Sequence, residues 1–143
     1  MKMDKHHRQE LIKKIKEQGA LDDSMPAPIV SLEDFFTGND DAGSIGCNTN
    51  HGGPLFFAPL KAIRDKPTVQ DVLIEIYEVG DGETMWPFSE RIYILSSSSR
   101  DEVAEWLAPL EPDTVEQESY VFGVPKTAPQ LQEGMRIYAA WWD

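Results

Sequence analysis

Residues 72–79, VLIEIYEV, constrain the fold more than any other stretch of the chain. Val72, Ile74 and Ile76 fall on one side of an extended backbone; Leu73, Glu75 and Tyr77 fall on the other. That period of two is what a strand requires. The carboxylate in the second set predicts one buried face and one partly wet face, the mark of an antiparallel sheet. Gly80-Asp-Gly82 turns the chain, and Arg91–Leu95, RIYIL, is the returning strand. Met135–Trp142, MRIYAAWW, predicts a final strand, with Ile137, Ala139 and Trp141 on one face and Tyr138, Ala140 and Trp142 on the other. Tyr120–Val124 reads as a short edge strand, interrupted by Pro125 and Pro129.

Helices surround these strands. Residues 4–18 carry Leu11, Ile12 and Ile15 as a narrow apolar stripe, with Gly19 placed to stop the helix. Ser31-Leu-Glu-Asp34 is a capping-box-like start for a short helix through Phe35 and Phe36. Pro54 suits a first helical turn, and Leu55, Phe56, Phe57, Leu60 and Ile63 supply an apolar face, with Pro59 kinking or delaying the helix. Ser98 or Ser99, followed by acids three residues on, opens a helix with Val103, Trp106, Leu107 and Leu110 on its stripe. The order is α–α–α–β–β–α–β. The expected class is α+β, a small antiparallel or mixed sheet of three or four strands with helices packed mainly on one face. At 143 residues the chain fits one domain of roughly 100–200 residues. It divides into a helical arm (1–19), a Pro- and Asp-rich linker (20–30) and a folded body (31–143).

Charge separates these parts. The net charge is −12, but residues 1–19 carry +3 and the remainder −15. A basic arm therefore precedes an acidic body, and it could dock in cis or on a second copy, so a homodimer is one expectation. Phosphate recognition needs clustered Lys and Arg, so nucleic acid is not the expected partner. No apolar run approaches the roughly 20 residues of a membrane helix, so no membrane partner is expected either. The basic start of the chain lacks the apolar core of a secretory signal. With Cys47 as the single cysteine, an intramolecular disulfide is excluded and a reducing, cytoplasmic setting is expected.

Residues 37–53, TGNDDAGSIGCNTNHGG, are mostly turn formers, and a loop this long is often functional. It brings Cys47 within four residues of His51. A thiol nucleophile needs a base to form thiolate and donors to hold an oxyanion, and glycine-rich backbone can supply the donors. A small cysteine-dependent enzyme, with Cys47 as nucleophile and His51 as base, is thus one reading. Cys/His sites usually draw their residues from distant parts of a chain, which weakens it. The acids Asp40 and Asp41 match neither a zinc nor a calcium spacing, so no metal is expected. Phosphate-loop, dinucleotide and serine-hydrolase patterns are absent, and no cofactor is expected.

Aromatic residues give the competing reading. Trp86 and Phe88 flank Pro87 in the hairpin loop, and Trp142 closes the last strand. Tryptophan and tyrosine are enriched at binding hot spots, and an acidic surface steers a basic partner. The favoured expectation is therefore a non-enzymatic binding protein for a basic protein, with Trp86, Phe88, Trp142, Asp40 and Asp41 as candidate binding residues. Bacterial immunity proteins that neutralise basic toxins share this composition.

Overall fold

The computed structural model describes residues 5–18, 26–39, 41, 44–45, 53–79 and 85–142. Four helices and five strands follow in the order α1 (Lys5–Glu17), β1 (Ile29–Ser31), α2 (Leu32–Phe36), α3 (Phe57–Arg64), β2 (Val69–Glu75), β3 (Arg91–Ser96), α4 (Arg100–Leu107), β4 (Thr114–Gln117) and β5 (Arg136–Trp141). Short 3₁₀ turns precede α3 and extend α4 through Leu110. The class is α+β, as expected, but the antiparallel sheet has five strands in the order β1-β2-β3-β5-β4.

The two additional strands are the edges. Ile29–Ser31, whose first two residues fall in the expected 20–30 linker, is paired to β2 with Val30 opposite Ile74. Thr114–Gln117, which buries only Val115, pairs with β5. Residues 120–124 do not form the expected edge strand; they make a turn closed by Gly123 N–H donating to Tyr120 O at 3.2 Å. Gly123 sits at φ +95°, a left-handed conformation that interrupts a strand.

Local chemistry accounts for the helix starts. The Ser99 hydroxyl accepts from Glu102 N, and Glu102 returns a bond to Ser99 N at 3.2 Å, a complete capping box. Ser31 caps α2 through Asp34 N at 3.1 Å. Pro59 stands in the first turn of α3, where its missing N–H costs no helical bond.

The sheet separates two cores. One face meets every helix and packs Leu11, Phe35, Phe56, Leu60, Leu107 and Trp142 into the main cluster. The other face holds Ile29, Leu73, Tyr93, Leu95 and Ala139, covered by Tyr120 and Ala128 from an irregular strap, residues 118–134. No helical residue enters this second cluster among the described residues.

The basic N-terminal helix lies against the body. Leu11 and Ile15 are buried in the main cluster and Arg8 is buried beside them. Arg8 Nε donates to Met85 O at 2.7 Å, and Lys14 pairs with Asp34 at 2.8 Å. The Gln18 carboxamide closes the helix onto β1, accepting from Ile29 N at 3.1 Å and donating to Ile29 O at 2.8 Å. This amide occupies the outer side of β1 as a neighbouring strand would. Arg100 Nε does the same at β4, donating to Val115 O at 2.7 Å. Side chains thus occupy part of both exposed sheet edges, which blunts edge-to-edge pairing.

Candidate binding surface

Cys47, His51 and Asp40 lie outside the described residues. Asp41 is described, and its carboxylate accepts from Trp86 N at 3.3 Å, tying the loop to the hairpin. Ile45 is fully buried and bridges to Ser89, a second tie between the same segments. Among the described residues, no three His, Cys, Asp or Glu side chains converge as a metal site.

The structure places Trp86 and Trp142 in the core, each 1% exposed. Trp142 packs edge-on against Phe56 and its Nε1 donates to Leu110 O at 2.8 Å. Trp86 Nε1 is buried with no hydrogen-bond partner among the described residues. The alternation of the last strand is the cause for Trp142: it shares the helix-covered face with Tyr138 and Ala140. Phe88 is half-buried, with its ring 6.1 Å from that of Tyr77.

Exposed apolar groups occur instead around the second face. Tyr77 is 51% exposed, and Val121, Phe122 and Val124 stand out from the strap at 41%, 52% and 65%. Phe122 lies over the Arg91 guanidinium at 5.7 Å. Beneath it, Arg91 Nη1 donates to Glu75 at 3.3 Å, and the Tyr93 hydroxyl donates a very short bond to the same carboxylate. Tyr93 Oη in turn accepts from Val121 N at 3.0 Å. Glu75 is 3% exposed, and burial pushes its carboxyl above the ordinary range against the opposing pull of Tyr93 and Arg91. Burial and the adjacent carboxylate push the Tyr93 phenol further upward. Tyr93 is therefore a fixed neutral donor rather than a base. Alternation put Glu75 on a partly wet face, but only the strap, which has no periodicity to read, makes that face dry.

The acidic charge is also localised. Asp101, Glu102 and Glu105 on α4, and Glu111, Asp113, Glu116 and Glu118 around β4, are all exposed. Arg100 is the one base between residues 99 and 125, and its Nε is committed to Val115 O. A groove of about 390 Å³ beside α4 and β4 is lined by Ala104, Ala108 and Val115 together with Glu111, Asp113 and Glu116. Sequence composition revealed the excess of acid; the fold brings Glu111, Asp113 and Glu116 around one groove beside α4.

Comparison with known proteins places the whole arrangement in one family. Residues 6–140 match the family described as "Uncharacterized protein YfbO family". The Escherichia coli (strain K12) protein "Uncharacterized protein YfbO" is 34% identical over 121 residues, covering 82% of this chain and 84% of that protein. The chain belongs to the YfbO family. No solved structure matches it. The YfbO match begins within α1 and ends within β5, so the helix, the sheet and the strap all lie inside the family's span. No helix among the described residues is long and apolar enough to cross a membrane.

Proposed function

We propose that this YfbO-family protein is a non-catalytic binding protein whose partner is a basic protein. The observation that carries the reading is the stretch from α4 through β4, where seven carboxylates between residues 101 and 118 are exposed and Arg100 is the one base beside them. Like charges concentrated in one part of a fold destabilise an isolated protein by self-repulsion, and a partner of opposite charge relieves that cost. Complementary charge also raises the encounter rate and rejects acidic competitors. Ala104, Ala108 and Val115 in the groove beside α4 offer the same partner apolar contact. Immunity-like neutralisation of a basic toxin is one biological setting for such a surface, suggested by composition and by this charge distribution.

The test is capture of partner proteins from the native host at about 0.1 M and about 1 M salt, where the screening length falls from about 10 Å to about 3 Å. Two variants accompany the wild type. One reverses Glu105, Glu116 and Glu118 to Lys; the other makes the same charge change at Glu10, Glu17 and Glu133, elsewhere on the surface. A basic protein held by the wild type and the second variant, and lost by the first variant and in high salt, is the expected result. Equal retention by both variants, or an acidic partner, overturns the reading.

A further inference from the structure

The second sheet face is covered in an unusual way. The 118–134 strap contains neither helix nor strand. Its attachments to the body are mostly polar: Tyr93 Oη to Val121 N at 3.0 Å, the Gln18 carboxamide oxygen from Thr127 at 3.1 Å, and Gln70 bridging Gln130 O and Gln132 N, each at 2.9 Å. Tyr120 and Ala128 of the strap pack on the small second cluster and Pro125 is buried, while Val121, Phe122 and Val124 turn outward. A segment with so few buried apolar contacts opens at a small fraction of the global unfolding free energy.

What it covers favours opening. The Glu75–Arg91 pair lies beneath the strap, with the Arg91 side chain 15% exposed and its Nε without a hydrogen-bond partner among the described residues. Charges held out of water recover hydration when the cover lifts. We propose that the 118–134 strap is a displaceable cover over the second sheet face, and that the charge on Glu75 sets how readily it lifts.

The surroundings of Glu75 determine the sign. On its own strand and face it is flanked by Leu73 and Tyr77; β1 opposes it with Ile29; β3 presents Arg91 and Tyr93, with Glu90 at the strand start. Between Glu118 and Glu133 the strap carries no carboxylate and one base, Lys126, and it sets Tyr120 against Tyr93. Burial, the largest influence on Glu75, raises its pKa, and the strap closes over this site through Val121 N on Tyr93 and Phe122 on Arg91. Lifting the strap rehydrates the carboxylate, so the open form binds the proton less tightly. Protonation therefore closes the strap and ionisation loosens it. A neutral carboxyl or carboxamide can still accept from Tyr93, so the Tyr93–Val121 link survives closure. The device does not depend on what the molecule binds.

The experiment is native-state amide exchange on the full chain, read as protection factors so that the intrinsic pH dependence is removed. In the wild type, Val121 protection falls as pH rises through the titration of Glu75, by up to about tenfold per pH unit for one linked proton. In Glu75→Gln it is higher at neutral pH and flat, while Ile74 and Ile94 remain far more protected than Val121 in both proteins. Tyr93→Phe removes the hydroxyl that links Glu75 to the Val121 amide, and it lowers Val121 protection more than that of Ile74 and Ile94. Val121 exchanging only as slowly as Ile94, a pH dependence that persists in Glu75→Gln, or no effect of Tyr93→Phe, overturns the proposal.

Discussion

Two buried tryptophans illustrate how a single polar atom decides the effect of a substitution. Both Trp86 and Trp142 are 1% exposed, but Trp142 Nε1 is bonded to Leu110 O whereas Trp86 Nε1 has no partner among the described residues. Trp142→Phe loses a hydrogen bond worth about 1 kcal/mol and orphans a carbonyl. Trp86→Phe removes an unpaired N–H, so its cost is confined to lost volume. Urea unfolding of the two variants is expected to show the larger loss for Trp142→Phe. Glu75 gives a second prediction at this scale. Its folded pKa lies above its ordinary 4.5 because burial disfavours the charge. The folded state therefore holds a proton that the unfolded state has released, and stability falls as pH rises from 4.5 to the folded pKa. Relative to Glu75→Gln, the wild type is expected to lose stability across that window and to change in parallel outside it, measured as urea midpoints against pH. Above the folded pKa the full difference persists.

At the level of elements, the Ser99 box is the most complete helix start among the described residues. Ser99→Ala is expected to cost about 1 kcal/mol, read in thermal or urea melts, with helix α4 losing protection first. The same motif was readable from the sequence because its chemistry is local: a serine, then a glutamate three residues on. Strands β2, β3 and β5 were readable for a similar reason, since each alternates over six or seven residues. The edges were not. A three-residue strand such as Ile29–Ser31 has no period to detect, and the prolines at 26 and 28 argue for linker. Thr114–Gln117 buries only Val115, so its pattern is that of a polar loop until β5 pairs with it. Tyr120–Val124 has strand composition, yet Tyr120 is drawn onto Tyr93 and Gly123 turns the chain. The surface candidates followed the same division. Which aromatic residues are outside depends on what covers each face, and alternation alone assigns faces without saying which one is dry.

For the whole molecule, charge and packing act on the same helix in different ways. Its +3 segment suggested an arm apart from the body, while its stripe of Leu11 and Ile15 enters the main core. Fully burying a Leu or Ile side chain contributes about 1.5–3 kcal/mol each. Removal of residues 1–18 is therefore expected to lower the unfolding free energy by several kcal/mol and to leave Phe35 and its neighbours wet. Differential scanning calorimetry and dye binding by exposed apolar surface would check this; a truncated chain melting at the wild-type temperature would contradict the packing described above. High salt is not expected to dislodge the helix, because the buried stripe, rather than the Lys14–Asp34 pair at the surface, holds it.

The Gln18 clasp has a consequence for how the chain could be rearranged. One carboxamide holds the end of α1 and the start of β1 together through two hydrogen bonds, so their proximity does not rely on the peptide that connects them. Cutting that connection, or moving the chain's ends into it, leaves helix and sheet registered by the same amide and the same buried stripe. The two pieces would then behave as a self-complementing pair: a short basic peptide and an acidic scaffold that reassemble when mixed.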